Sequence, residues 1–146
     1  MSDFWKAWLV VWCWAVGLFG LVLAGAGLGA TDGPARAVFA LLAPGTAIEL
    51  DQPMRFAVAL MGAVTMGWSV TLLAAFRAAW ALGDAAAGVW KLVTGGVLGW
   101  YVIDSVLSVA TGFPLNAVSN TVLVAAYLLP VLRSGVLGGS AGLARA

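Results

Sequence analysis

The sequence predicts an all-α polytopic integral membrane protein, with four transmembrane helices in a compact bundle and a short interfacial helix between the first and second spans. Three observations carry that prediction. Hydrophobic residues make up 63% of the 146, charged residues only 9%, and mean hydropathy is +1.04. A water-soluble domain carries roughly 25% charged residues and under 50% apolar ones. Uncharged apolar stretches recur at the length of about 20 residues needed to cross a hydrocarbon core about 30 Å thick. No alternation of apolar and polar residues competes as a strand signal.

The first span is expected over 7–30, the second over 56–76, the third over 91–111 and the fourth over 115–132, all within one domain, 1–133. Lys6 ahead of an apolar run, and Ala24-Gly25-Ala26 further on, have features of a signal peptide. The run is longer than a usual signal core and carries Trp8, Trp12 and Trp14, so an uncleaved first span is expected. Between spans one and two, Pro34 to Pro44 encloses a segment far too short to cross. It reads as an amphipathic turn of helix in the outer interface. Asp51 followed by Pro53 is a helix start, a side-chain acceptor for free N–H groups and a proline where no donor is needed. Thr111-Gly112-Phe113-Pro114 is a tight turn that makes spans three and four a hairpin. The tail 134–146 is mostly Gly, Ser and Ala with one arginine and is expected to be flexible and cytoplasmic.

Loop charge sets the expected orientation. Lys6, Arg77, Lys91, Arg133 and Arg145 fall on one side, and Arg36 and Arg55 on the other, diluted by Asp32, Glu49 and Asp51. Both termini are therefore expected in the cytoplasm. An Ala-, Gly- and Trp-rich composition with arginine in excess of lysine points to a bacterial inner membrane.

Asp104 is the acidic residue inside a span. Such a residue costs on the order of 2.5 to 3.5 kcal/mol to insert at a helix centre, and its default reading is functional. It lies roughly 20 Å beyond Lys91 at 1.5 Å per residue, in the outer third of the membrane. Helical spacing puts Trp100, Tyr101, Ser108 and Thr111 on its face. On the returning helix Asn116 and Asn120 share one face, with Tyr127 further along it. The hairpin brings them to the depth of Asp104. Arg55 opens the second span from the same side and is expected to reach inward to the carboxylate, with Gly62, Met66 and Ser69 below it. The expected polar intramembrane cluster is thus Asp104, Arg55, Asn116, Asn120, Ser108, Trp100 and Tyr101. It reads either as a pocket open to the outer side or as a brace that holds the bundle in register.

Glycines form a second pattern. Gly20 with Ala24, and Gly25 with Gly29, give the first span small-xxx-small pairs, and Gly95 with Gly99 give the third another. Such pairs let backbones approach closely. The first-span set is expected to contact another subunit or another copy, and the third-span set to pack inside the bundle. Of the eight tryptophans, Trp5, Trp8, Trp80 and Trp90 fit an interfacial belt, whereas Trp12, Trp14, Trp68 and Trp100 lie deeper. The deep ones read as packing or, for Trp100 beside Tyr101 and Asp104, as part of an aromatic-lined pocket.

Without histidine, with the single Cys13 in an apolar run, and without paired intramembrane carboxylates or a Gly-rich phosphate loop, enzymatic function is not expected. Neither a metal nor another cofactor is expected, and a net charge of +1 gives no footprint for nucleic acid. The expected partners are the lipid bilayer and other membrane subunits or further copies of the chain. The expected function is that of a packing or accessory subunit of a membrane complex or homo-oligomer. The alternative is a small oligomeric transporter or channel with Asp104 as its acidic site.

Overall fold

The computed structural model describes residues 1–138; the remainder of the expected tail, with Arg145, lies outside the described residues. All regular structure among the described residues is helical. Helix α1 is Asp3–Ala24, α2 Gly33–Leu42, α3 Gln52–Leu82, α4 Ala87–Ala110 and α5 Pro114–Arg133. One 3₁₀ turn, Gly25–Gly27, ends α1, and another, Gly83–Ala86, joins α3 to α4. Three helical stretches are long and apolar enough to cross a membrane: Asp3–Gly27, Gln52–Ala110 and Pro114–Arg133. The middle one holds 59 residues, about 88 Å if straight at 1.5 Å per residue, so it must fold back. It does so at Gly83, whose φ of +56° is a conformation that favours glycine.

Cross-helix pairs show the packing. Phe76 stacks on Trp90 and Trp68 meets Trp100, so α3 and α4 run antiparallel. Trp8 Nε1 donates to Ala126 O at 2.8 Å and Trp12 Nε1 to Leu123 O at 2.9 Å, which sets α1 antiparallel to α5. The helices are tied into two hairpins, α1 with α3 and α4 with α5, the two most extensive pairings in the structure.

The α1–α3 pairing rests on small residues. Gly62 sits against the backbone of Gly20 and Ala24, where an added Cβ would collide with both. Nearby, Ser69 Oγ donates to Cys13 O at 2.6 Å, an interhelical bond of a kind that contributes about 0.6 kcal/mol in membranes. Gly20 and Ala24 therefore pack inside the chain, contrary to the external contact expected of them, because Gly62 on α3 supplies the matching gap. Gly25 packs on Thr31 of its own chain and Gly29 has nothing within 4 Å. The third-span expectation reverses as well. Gly95 and Gly99 have no neighbour within 4 Å, because α4 turns Trp90, Thr94, Val97 and Ser108 inward and its glycines outward.

Several local expectations hold. Asp51 Oδ1 accepts from Met54 N at 2.9 Å and caps α3, with Pro53 in its first turn. Gly112, at φ +89°, makes the α4–α5 turn, closed by Phe113 N donating to Ser108 O at 2.7 Å. The expected short helix forms as α2. Helix α1 starts earlier than the expected 7–30 and stops short of its end, while α3 overruns its expected span at both ends and includes Arg55 and Arg77. Trp90 departs from the interfacial belt: it is buried against Phe76.

The two glycine environments give opposite predictions. Gly62→Val should destabilise the bundle by about 1–3 kcal/mol, the usual penalty for overpacking. Gly95→Ala should change stability by less than about 1 kcal/mol, since a helical glycine without neighbours loses nothing by gaining a methyl. Thermal unfolding of both variants in lipid discs checks the pair.

Candidate functional site

The two hairpins close on each other in one half of the bundle and part in the other. The closed half is filled by aromatic rings. Trp12 meets Trp68 at 6.3 Å between ring centroids and Tyr127 at 5.6 Å, and Tyr127 stacks on Phe76 at 6.0 Å. The Tyr127 hydroxyl shares a 2.9 Å hydrogen bond with Thr94 Oγ1, so the buried ring brings no orphaned polar atom with it. Beyond Trp68 and Trp100 the helices separate and enclose a cavity of about 820 Å³, open on one side.

Every helix contributes to its wall: Phe19 and Leu23 from α1, Val38 and Phe39 from α2, Met61 and Trp68 from α3, Trp100 and Asp104 from α4, Asn116 and Asn120 from α5. Most of this wall is apolar. The polar exception is built around Asp104, about two turns from the end of α4. Asn120 Nδ2 donates to Asp104 Oδ1 at 2.7 Å, Asn116 Nδ2 to the same oxygen at 2.8 Å, and Ser108 Oγ at 3.1 Å. Asn116 Nδ2 also donates to Ser108 Oγ at 2.8 Å, closing the network. The tight turn at Gly112 sets the register that brings these side chains of two helices to one oxygen. Among the described residues no donor and no cation reaches Asp104 Oδ2. Nor is that oxygen sealed: the buried side-chain polar atoms without a partner are Trp80 Nε1 and Ser134 Oγ. One carboxylate oxygen is thus held by three donors, the other takes none, and the side chain lines the cavity.

Of the expected cluster, Asp104, Asn116, Asn120 and Ser108 come together, and Trp100 stands on the same wall. Tyr101 does not join them. Its hydroxyl pairs with Thr121 Oγ1 at 3.0 Å on the flank of the α4–α5 pair. Arg55 also goes elsewhere, which corrects the expected pairing with Asp104. Its Nη2 meets Asp32 Oδ2 at 2.7 Å and its Nη1 donates to Ala26 O at 3.0 Å. The reason lies in the α1–α3 pairing: the face of α3 that carries Gly62 and Ser69 lies on α1, so Arg55 opens onto the end of α1, where Asp32 offers a nearer charge. The signal was present in the sequence as an opposite charge in the same short connection. Two other contributors escaped sequence reading: Trp68 as a wall of the cavity, and α2 as its cover.

Asp32 is the latch of that cover. Besides Arg55 it binds Arg36 Nη2 at 3.0 Å, tying the start of α2 to the start of α3. A second apolar cluster, Leu23, Ala26, Ala35, Leu50 and Val58 with Phe39 against it, seats the helix. Hydrogen bonds from Arg36 and then Arg55 hold the Asp32 carboxyl below its ordinary pKa.

Comparisons with protein-family profiles, with curated proteins and with solved structures find no match to this chain.

The latch is testable by pH. A carboxyl with a depressed pKa contributes stability above its unfolded value and loses it as pH falls through the folded one. The protection of residues 33–42, as amide exchange corrected for its intrinsic pH dependence, should therefore fall below about pH 4, the ordinary carboxylate range. Asp32→Asn should give the same loss of protection at neutral pH, with the protection of α5 unchanged in both experiments. Hydrogen–deuterium exchange read by mass spectrometry checks it.

Proposed function

We propose that this chain is a four-span, non-enzymatic protein of a bacterial inner membrane that binds a small solute in the cavity between its hairpins, as a transporter does, with Asp104 as the group the solute meets. The observation that carries this reading is the divided carboxylate of a side chain that lines the cavity: Oδ1 takes three donors and Oδ2, among the described residues, takes none. A structural brace asks for a sealed acid with both oxygens satisfied. A binding group asks for one oxygen fixed and the other free.

The 59-residue stretch folding back on itself supports the four-span reading, with α1, α3, α4 and α5 as the crossing helices. With five basic residues on one side against two, both termini lie in the cytoplasm, and the cavity with its cover α2 opens towards the outer side. The layer of Trp12, Trp68, Tyr127 and Phe76 obstructs the inner half. That favours a transporter over an open channel, since passage through this bundle needs the layer to move. At about 820 Å³ the cavity has the size of sites for whole small molecules, roughly 300–1,000 Å³.

A second reading, an accessory or packing subunit, draws on the outer face of α4. Gly95 and Gly99 leave a shallow backbone surface there, flanked by exposed Leu92, Val102 and Val106. A larger membrane assembly or a further copy of the chain would use that face.

The two readings separate on purification from the native membrane into lipid discs, with polypeptides and small molecules both identified by mass spectrometry. Solute binding predicts a small molecule near one per chain, lost or weakened in Ala15→Trp, which places an indole in the cavity. A stoichiometric foreign polypeptide, with the same small molecules in wild type and Ala15→Trp, would favour the accessory subunit and contradict the solute site.

A further inference from the structure

We infer that the solute of this cavity is a lipophilic monovalent cation with its positive charge on a nitrogen or similar onium centre; this rests on the reading of the cavity as a solute site. Charge gives the first reason. Among the described residues Asp104 is the one formally charged residue on the cavity wall, with no lysine or arginine lining it. Nor, among those residues, does any cation pair with its Oδ2. A single uncompensated carboxylate in apolar surroundings is matched by one positive charge, and an ion pair there is screened little by salt. Anions and zwitterions are disfavoured by the same wall, since a phosphate or carboxylate on the ligand would face Asp104 with nothing to neutralise it.

Shape and polarisability give the second reason. The rings of Trp68 and Trp100 lie 5.3 Å apart at 45°, both on the cavity wall with Asp104. Indole faces attract cations whose charge is spread over carbon-bearing substituents. The rest of the wall is mostly apolar, with Phe19, Phe39 and Met61, and its hydroxyls, Thr65, Thr111 and Ser119, donate to backbone carbonyls of their own helices. A small hydrated metal ion gains nothing from such a wall, because it needs several oxygen ligands. An organic cation loses little on leaving water and gains throughout. The asparagines complete the site indirectly: by occupying Oδ1 they hold the carboxylate in place and leave Oδ2 as the oxygen without a donor.

The probe is tetraphenylphosphonium, titrated into the full chain in discs of uncharged-headgroup lipid and read by tryptophan fluorescence and calorimetry. Tetraphenylborate, the same shape with opposite charge, is the control. Wild type should bind the cation and not the anion. Asp104→Asn should weaken cation binding about tenfold or more, and Asp104→Glu, which keeps the charge, should retain most of it. Because the asparagine is isosteric and the glutamate keeps the charge, a matched melting temperature separates lost binding from lost folding. A second pair of probes tests lipid against free amphiphile. Dodecyltrimethylammonium should displace the phosphonium, whereas dodecylphosphocholine, with the same chain and an added phosphate, should not. Equal binding by wild type and Asp104→Asn, or equal competition by tetraphenylborate or the phosphocholine, would overturn the proposal. The solute site itself can outlive it. A neutral or anionic molecule recovered from native membranes and lost in Ala15→Trp, with no phosphonium binding, would sink the cation and leave the cavity its function.

Discussion

Placing a carboxylate among apolar helices is the constraint on which the α4–α5 half of this bundle depends. In a medium without water the charge has to be met by donors of the protein or it does not stay. Here three donors meet it at one oxygen, two of them amides from the neighbouring helix. That arrangement needs α4 and α5 in a single register, and the turn at Gly112 fixes it at the shortest range. A shift of α5 by one residue would rotate both asparagines about 100° away. The network therefore acts on the fold as a register key as well as on the cavity as a charged wall. The two roles use different oxygens of the same side chain.

The α1–α3 half is held by different means. No charge lies between these helices in the bundle interior; close backbone approach at Gly20, Ala24 and Gly62 takes its place, with Ser69 bonded across to Cys13 O. Between the two hairpins, bulky rings fill one end while smaller and more distant side chains leave the other end hollow. The rings of Trp12, Phe76 and Tyr127 meet across the closed end, whereas the hollow end has a mostly apolar wall with Asp104, Ser108, Asn116 and Asn120 set into it. Helix α2 then covers the hollow end, held by the ion pairs of Asp32 with Arg36 and Arg55.

How much of this was legible in the sequence follows from the range of the interactions. Asp104, Ser108, Asn116 and Asn120 could be brought together by counting along two helices from one tight turn, a local calculation. So could the Asp51 cap and the short helix between Pro34 and Pro44. Arg55 and the glycine faces depended on which helix neighbours which, and in a chain apolar on nearly every face the periodicity does not say. A soluble helix marks its inner face by contrast with a charged outer one. Helices α3 and α4 are apolar outside as well as inside, with Phe56, Val70, Leu92 and Ile103 all exposed. Gly62 looked like one glycine among many, and only its backbone contacts on α1 distinguish it. Arg55 was assigned to the acid at its own depth when the nearer Asp32 lay across the end of α1.

The central claim is that Asp104 is fixed by its neighbours yet open to the cavity, and chemical accessibility tests it most directly. Dicyclohexylcarbodiimide, a lipophilic reagent that modifies carboxyl groups within apolar surroundings, should label the purified chain in lipid discs once, with the adduct mapping to Asp104 by peptide mass and absent in Asp104→Asn. A folded wild-type chain whose Asp104 stays unmodified, under conditions in which a lipid-exposed control carboxyl reacts, would show the acid sealed among the helices and contradict the site.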